Sequence, residues 1–136
     1  MHPDREHAER LFEQASDSAY IVDPFGDRIV AANAAGCAML GYTHAELLAT
    51  PISRIHPAEM PQIRELANSA LNDGQASTIR LTCRTKQGTF LPTEITLLAF
   101  ENDGRRYLLS LVQDRSEHRQ PAPSNAMMNT GISRRR

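Results

Sequence analysis

The sequence predicts an α+β fold: a five-stranded antiparallel sheet with short helices and one longer helix on one face, plus an N-terminal helix. Three observations predict it. Some segments alternate apolar and polar residues, others repeat apolar residues every three or four positions, and turn-forming residues separate them. At 136 residues, the chain has room for one domain with a modest hydrophobic core.

The first predicted element is a charged helix from Asp4 to Ala15. Its apolar residues form a narrow N-terminal stripe, consisting of Ala8, Leu11 and Ala15 with Phe12 beside it. A stripe this narrow cannot bury itself, so we expect it to pack on a sheet face or on a partner helix.

A β-hairpin follows. Apolar runs at Ala19–Val22 and Ile29–Ala32 flank the segment Asp23–Asp27, which is rich in turn-forming residues. Gly26 in this turn can take a positive φ, because glycine has no Cβ to oppose it.

Two short helices are predicted next. Asn33 is a suitable N-cap for a helix over Ala34–Leu40, and Gly41 stands where a C-terminal glycine belongs. Thr43 opens a capping box that starts a second helix, which runs through Leu48.

The longest predicted helix begins at Pro61 and ends at the Asn72–Gly74 turn. One face of this helix is apolar and consists of Ile63, Leu66, Ala67, Ala70 and Leu71. Their spacing is that of an amphipathic helix packed on a core.

Alternating residues predict the third and fourth strands. Ile79, Leu81 and Cys83 share one face of the third strand, and the fourth alternates from Leu91 to Leu97. Pro92 predicts that the fourth strand lies at a sheet edge or contains a bulge, because proline lacks a backbone N–H.

The fifth predicted strand, Tyr107–Gln113, is apolar on both faces, so both faces should be covered. We expect Leu109 and Leu111 to face the helices and Leu108 and Val112 to face outward. An outward apolar face favours an interface, and we therefore expect a homodimer that buries Leu108 and Val112 with the N-terminal stripe.

The charge distribution separates a tail from the domain. Residues 119–136 hold four arginines and no acid, and their composition predicts disorder. Without them 11 basic and 16 acidic residues remain, a net charge of −5, so a nucleic-acid partner is not expected for the domain itself. The predicted units are the helix at 1–17, the α+β domain at 18–118 and the basic tail at 119–136.

The location is expected to be cytoplasmic. The first residues are too charged for a signal peptide, and no stretch is long and apolar enough to span a membrane. Cys37 and Cys83 stand among apolar neighbours and form neither a metal-binding spacing nor a disulfide framework, which suits a reducing compartment.

The order of elements resembles the PAS domain family, and short motifs over residues 7–118 support the resemblance. They are Tyr20–Gly26, Ile29–Asn33, Leu40–Tyr42 followed by Glu46–Leu47, Ile55–Pro57, Gly88–Phe90 and Gln113–Ser116. Gln87 and Arg115 depart from the family pattern. The motif residues expected to have structural roles are Asp23, Gly26, Asn33, Gly41 and Tyr42.

The resemblance implies a sensory signal-transduction module that binds a small ligand or a protein partner. Its output would be a histidine kinase of a two-component system, a cyclic-dinucleotide enzyme or a transcription regulator, and the family commonly signals through two subunits. The chain carries no phosphate-binding glycine loop, nucleophile elbow or His-Glu-x-x-His motif, so we expect no enzyme and no catalytic residues. A small enzyme using the same pocket is the alternative.

The cofactor stays unknown. Flavin-binding light sensors of this family carry Asn-Cys-Arg where this chain has Thr50–Arg54, and their last-strand Gln would align near Val112, with Gln113 facing the other way. Haem-binding members carry a His within the long helix, and Pro61–Asn72 contains none. We therefore expect neither a flavin adduct nor haem; a haem-based gas or redox sensor is a further alternative.

A ligand pocket is expected between the sheet and the long helix, with His56 as a polar anchor and no metal. The other residues expected to line it are Leu40, Ile55, Ile63, Leu66, Cys83, Thr93, Ile95, Leu109 and Leu111. Plain core packing of these residues is the alternative.

Overall fold

The structure is a computed structural model that describes residues 6, 10, 12 and 17–116. Its strands are β1 (Ser18–Asp23), β2 (Arg28–Ala32), β3 (Gln75–Arg84), β4 (Phe90–Asn102) and β5 (Arg105–Asp114). Its helices within these residues are α1 (Ala34–Leu40), α2 (His44–Leu48), α3 (Ile52–Ile55) and α4 (Met60–Asp73).

The strands form one antiparallel sheet in the order β2-β1-β5-β4-β3. Residues from the helices and from one face of the sheet form the core, including Leu40, Leu47, Ile55 and Ala70. The predicted α+β class and the five-stranded antiparallel sheet are therefore confirmed.

Side-chain caps fix the first two helices as the sequence predicts. Asn33 accepts a hydrogen bond from Gly36 N, and Gly41 ends α1 with a φ of 83°. Thr43 and Glu46 complete the capping box at the start of α2. Each cap satisfies backbone groups that a helix end leaves unpaired.

The β1–β2 turn has its positive φ at a residue other than the glycine. The left-handed residue is Asp27, with a φ of 49°, and not Gly26. Asp27 is held by Ser53, whose backbone N and Oγ both donate to its carboxylate at 3.0 Å. Gly26 is needed for space instead, because a Cβ there would lie 3.0 Å from the Asp23 carboxylate.

The structure corrects the prediction for Pro92 in part: β4 is not an edge strand, but Pro92 lies just beyond its last pairing with β5. Strand β4 is paired on both sides, and the irregular register with β3 lies between Thr78 and Leu81. The carbonyl of Pro92 accepts from Arg115 N at 2.8 Å, beyond the last β4–β5 pair at Thr93. The missing N–H of proline therefore falls where β5 has already ended.

The faces of β5 are the reverse of the prediction. Ser110 pairs with Tyr20 in β1 and with Leu97 in β4, and cross-strand partners share a face. Leu108 and Val112, on the same face as Ser110, are only 1% and 3% exposed and belong to the core under the helices.

The outer face is defined as the opposite side of the sheet, with Ile21, Leu98, Phe100, Tyr107, Leu109 and Leu111. The prediction failed because β5 is the central strand and has apolar residues on both faces. The alternation of residues along it therefore cannot show which face lies under the helices.

Two predicted segments lie largely outside the described residues. Of the N-terminal helix, Glu6, Arg10 and Phe12 are described, each in helical conformation, while Ala8, Leu11 and Ala15 are not. The basic tail at 119–136 is also outside. Over the described part of the chain, no helix is long and apolar enough to cross a membrane.

Candidate functional site

A cavity of about 270 Å³, the larger cavity, lies between the sheet, helices α3 and α4 and the β1–β2 turn. Its apolar walls are Val22, Pro24, Phe25, Ile52, Met60, Ile63, Leu66, Ala67, Ile95, Leu97 and Leu108. Its polar lining residues are Asp23, Asp27, His56, Arg64 and Ser110. Mainly apolar walls with a few polar groups are typical of small-molecule sites.

A smaller cavity of about 40 Å³ adjoins it on the side of α1 and β2. The two cavities share Val22, Ile52, His56 and Ser110. His56 and Ser110 are thus the two polar residues at their boundary.

The structure brings most of the predicted lining residues to these cavities. Ile63, Leu66 and Ile95 line the larger cavity, Leu40, Ile55 and Cys83 line the smaller, and His56 lines both.

Three predicted residues line neither cavity. Thr93 is buried and donates from its hydroxyl to Leu81 O at 2.8 Å. Leu109 and Leu111 are on the outer face, for the reason given above.

His56 is held in place by groups on both sides of its ring. Its Nδ1 lies 3.4 Å from Glu59 Oε1, and Glu59 is itself fixed by the backbone N and hydroxyl of Thr82. Its Nε2 lies 3.9 Å from Cys83 Sγ. Burial lowers the pKa of His56 below 6.5, so the ring is neutral at pH 7, and the carboxylate favours the proton on Nδ1.

Cys83 beside this ring is not a reactive thiol. It is only 2% exposed, and burial raises the pKa of its thiol to about 12. A thiol that stays protonated at neutral pH is a poor nucleophile, so the Glu59–His56–Cys83 arrangement is a packed polar cluster.

Ser110 is the unusual group of the site. It is only 8% exposed and lines both cavities, yet among the described residues its hydroxyl has no hydrogen-bond partner. Buried hydroxyls are normally paired, so this one is available to a bound molecule.

The charged lining residues are mostly compensated. Asp23 is buried and accepts from Arg105 Nη2 at 2.7 Å. Asp27 is exposed and bonded to Ser53. Arg64 is exposed and has no partner among the described residues. Phe25 lines the cavity although it is 71% exposed.

Sequence reasoning missed Ser110, because the strand was assigned the opposite face. The signal was present in the sequence as one hydroxyl within an otherwise apolar strand. Leu97 and Ala67 were absent from the predicted lining too, although each shares an apolar face with a residue that was included.

The two positions considered for a flavin-contacting Gln lie on opposite sides of the sheet. Val112 lines the smaller cavity, whereas Gln113 donates from Nε2 to Asp17 Oδ2 at 3.0 Å, on the other side of the sheet. No group of three or more His, Cys, Asp or Glu able to hold a metal occurs within the described part of the chain.

Comparisons with known proteins agree with this geometry. The family model described as PAS domain matches residues 16–117. No curated protein matches the chain.

Solved structures show the same fold at low identity. A PAS domain from Desulfitobacterium hafniense is 23% identical, with a TM-score of 0.63, over 77% of this chain and 98% of that one. A PAS domain from a two-component sensor histidine kinase is 17% identical, with a TM-score of 0.65, over 80% and 94%. The Rhodobacter sphaeroides LOV protein is 19% identical, with a TM-score of 0.65, over 82% and 66%.

The five-stranded sheet, the helices on one of its faces and the family match from residue 16 to residue 117 agree, and the chain belongs to the PAS domain family.

Proposed function

We propose that this chain is a sensory module that binds a small molecule in the larger cavity and relays its presence to an output domain. The observation that carries the proposal is the cavity of about 270 Å³ with the unpartnered hydroxyl of Ser110 in its wall. A well-packed core would leave neither the space nor the unpaired polar group.

A sensor-kinase neighbour supports the signalling part of the proposal. A structure with the same fold is a PAS domain of a two-component sensor histidine kinase. A histidine kinase is therefore our first candidate for the output, ahead of a cyclic-dinucleotide enzyme or a transcription regulator.

The route of the signal is proposed from what surrounds the cavity. Its walls include both the β1–β2 turn and helix α4, which are far apart in sequence. A ligand that contacts both would favour one relative arrangement of them, and a ligand shifts an equilibrium only by binding one arrangement better.

We favour this role over that of a small enzyme. The group most like a catalytic triad is Glu59, His56 and Cys83, and its thiol is buried and protonated. Cys83 lines the smaller cavity, whose 40 Å³ have room for about one water molecule and not for a substrate.

We propose a homodimer as the signalling form and a cytoplasmic location. The dimer interface predicted from sequence cannot include Leu108 and Val112, which are buried under the helices. The part of the outer face that stays partly exposed, at Leu98, Phe100, Tyr107 and Leu111, is the surface we propose instead, since Leu109 is fully buried within this chain. Both described cysteines are free, which suits a reducing compartment.

Filling the larger cavity tests the proposal. Ala67 lines it from α4, so Ala67→Phe should occupy part of the space, whereas Ala38→Phe places the same side chain on an exposed position of α1. We expect compounds that raise the melting temperature of the original protein to fail with Ala67→Phe and to act unchanged on Ala38→Phe. Circular dichroism checks that both variants fold.

Two results would contradict cavity binding. One is that compounds stabilise the Ala67→Phe variant as strongly as the original chain. The other is that native mass spectrometry and a broad compound screen both find no bound molecule.

A further inference from the structure

The polar groups at the boundary of the two cavities indicate what kind of ligand the site takes, an inference that rests on the proposed function. The hydroxyl of Ser110 can donate one hydrogen bond and accept others, and no described residue uses it. His56, at the same boundary, is neutral, and with Nδ1 turned to Glu59 its Nε2 is an acceptor. The Cys83 thiol, 3.9 Å from Nε2, is only a weak donor.

The lining carries no buried charge that a ligand could neutralise. Asp23 is already paired with Arg105 at 2.7 Å, and Asp27 and Arg64 are exposed. A charged group on a buried ligand would therefore stay unpaired, which is strongly unfavourable in apolar surroundings.

The volume limits the size of the ligand. An apolar cavity of about 150 Å³ holds benzene, so about 270 Å³ corresponds to about eleven heavy atoms at the same packing. A flavin nucleotide or a haem has more than twice as many heavy atoms and does not fit this cavity.

We propose that the ligand is an uncharged aromatic alcohol of the phenol or naphthol class. Its ring lies against the apolar walls formed by Ile63, Leu97 and Leu108. Its hydroxyl lies at the boundary of the cavities, donating to His56 Nε2 and accepting from Ser110 Oγ.

Phe25 gives such a ring a further partner. Its side chain lines the cavity and is 71% exposed, so an aromatic ligand would cover part of it. Aromatic pairs gain more than the burial of their area alone.

The test compares two probes that differ only in the hydroxyl, 2-naphthol and naphthalene, on the full chain at neutral pH. Dissociation constants are measured by ligand fluorescence. A net hydrogen bond is worth about 0.5 to 1.5 kcal/mol, so we expect the two bonds of the hydroxyl to make 2-naphthol bind about tenfold more tightly than naphthalene, or more.

Replacing the serine identifies the partner of the hydroxyl. Ser110→Ala should weaken 2-naphthol binding by about threefold to tenfold and leave naphthalene unchanged, so that the preference that remains is the contribution of His56. Ser69→Ala, on an exposed position of α4 outside both cavities, should change neither.

Other outcomes overturn the inference without overturning the sensor role. Equal affinities for the two probes, or an equal loss for both with Ser110→Ala, would show that the hydroxyl is not recognised and that water alone satisfies Ser110. Tighter binding of 2-naphthoate than of 2-naphthol would assign the site to carboxylates held by Arg64. If neither probe binds while other compounds depend on the cavity in the Ala67→Phe test, the ligand class is wrong and the site remains.

Discussion

Asn33 joins separate segments of the chain through one side chain. Its Oδ1 accepts from Gly36 N at 2.7 Å and from Ala19 N at 3.0 Å. Its Nδ2 donates to Asp17 O at 3.1 Å and to Phe12 O at 3.3 Å. One amide thus caps α1 and fixes the start of β1, which explains why the motif ends in asparagine.

Replacing this amide should destabilise the fold by more than the loss of a simple cap. An N-cap to Ala change costs about 0.5 to 2 kcal/mol, and Asn33→Ala also leaves Ala19 N without its partner. We therefore expect Asn33→Ala to lower the free energy of unfolding by about 2 kcal/mol or more, as measured by urea denaturation.

Asn68→Ala is the matched control, because Asn68 is exposed within α4, where alanine favours the helix. We expect it to be neutral or slightly stabilising. Equal effects of the two substitutions would contradict the role assigned to Asn33.

His56 should make stability depend on pH. Burial lowers its pKa in the folded state, whereas the unfolded chain takes up the proton near its ordinary value of 6.5. The unfolded state therefore binds more protons as the pH falls below 6.5, so stability is full above that pH and decreases towards the lower folded pKa. Two titratable groups among the described residues face the ring. The Glu59 carboxylate partly offsets the lowering of the His56 pKa, and the Cys83 thiol stays neutral.

The measurement is the urea midpoint between about pH 7.5 and pH 5.5, where an ordinary histidine titrates. We expect the midpoint of the original chain to fall over this range and that of His56→Gln to fall less. His44→Gln replaces an exposed histidine and should behave like the original chain. The same fall in all three proteins would assign the effect to other groups.

At the scale of elements, α1 packs directly on β1 through Gly36. The Tyr20 hydroxyl donates to Gly36 O at 2.9 Å, and a Cβ on residue 36 would lie 2.8 Å from Tyr20 Cε1. Glycine within a helix is normally unfavourable by about 1 kcal/mol relative to alanine. Here the close approach of the Tyr20 ring requires a glycine at position 36.

Gly36→Ala should therefore destabilise the protein although alanine favours helices. Overpacking in a core costs about 1 to 3 kcal/mol, which exceeds the gain of about 1 kcal/mol in helix propensity. Denaturation curves give the net value, and Ala38→Gly on the exposed side of the same helix measures the propensity term alone. Stabilisation by Gly36→Ala would show that Tyr20 can move aside.

Features that depend on neighbouring residues could be predicted from the sequence, whereas features that depend on distant residues could not. The caps at Asn33, Gly41 and Thr43 depend on neighbours within a few residues, so the sequence contains them fully. Helix α3 was not predicted, because four residues between Pro51 and His56 give no periodicity. Its position depends on Asp27, which is distant in sequence.

The site could be predicted only in part for the same reason. Ile63, Leu66 and Ile95 lie on amphipathic elements whose inward side is set by polar residues opposite them. In β5 both sides are apolar, and only the pairing of Ser110 with Tyr20 decides which side faces the helices. That pairing joins residues 90 positions apart, and its one local sign is the single hydroxyl in an otherwise apolar strand.

At the scale of the whole molecule, the sheet has an apolar surface on each side. The inner side packs on the helices and contains the cavities. On the outer face Phe100 and Tyr107 stack with ring centroids 5.8 Å apart, and Leu98 and Leu111 are partly exposed. Apolar residues grouped in this way commonly form an interface.

We therefore predict that the full chain is a dimer through the outer face. Leu111→Glu places a charge there and should convert the dimer to a folded monomer, because a buried unpaired carboxylate opposes association. Leu48→Glu, on α2 and 39% exposed, carries the same change away from this face and should stay dimeric. Analytical ultracentrifugation gives the mass, and circular dichroism checks the fold. A monomer at the highest soluble concentration, both with and without residues 1–15, would mean that the outer face is not an interface between copies and that PAS domain signalling here proceeds within one chain.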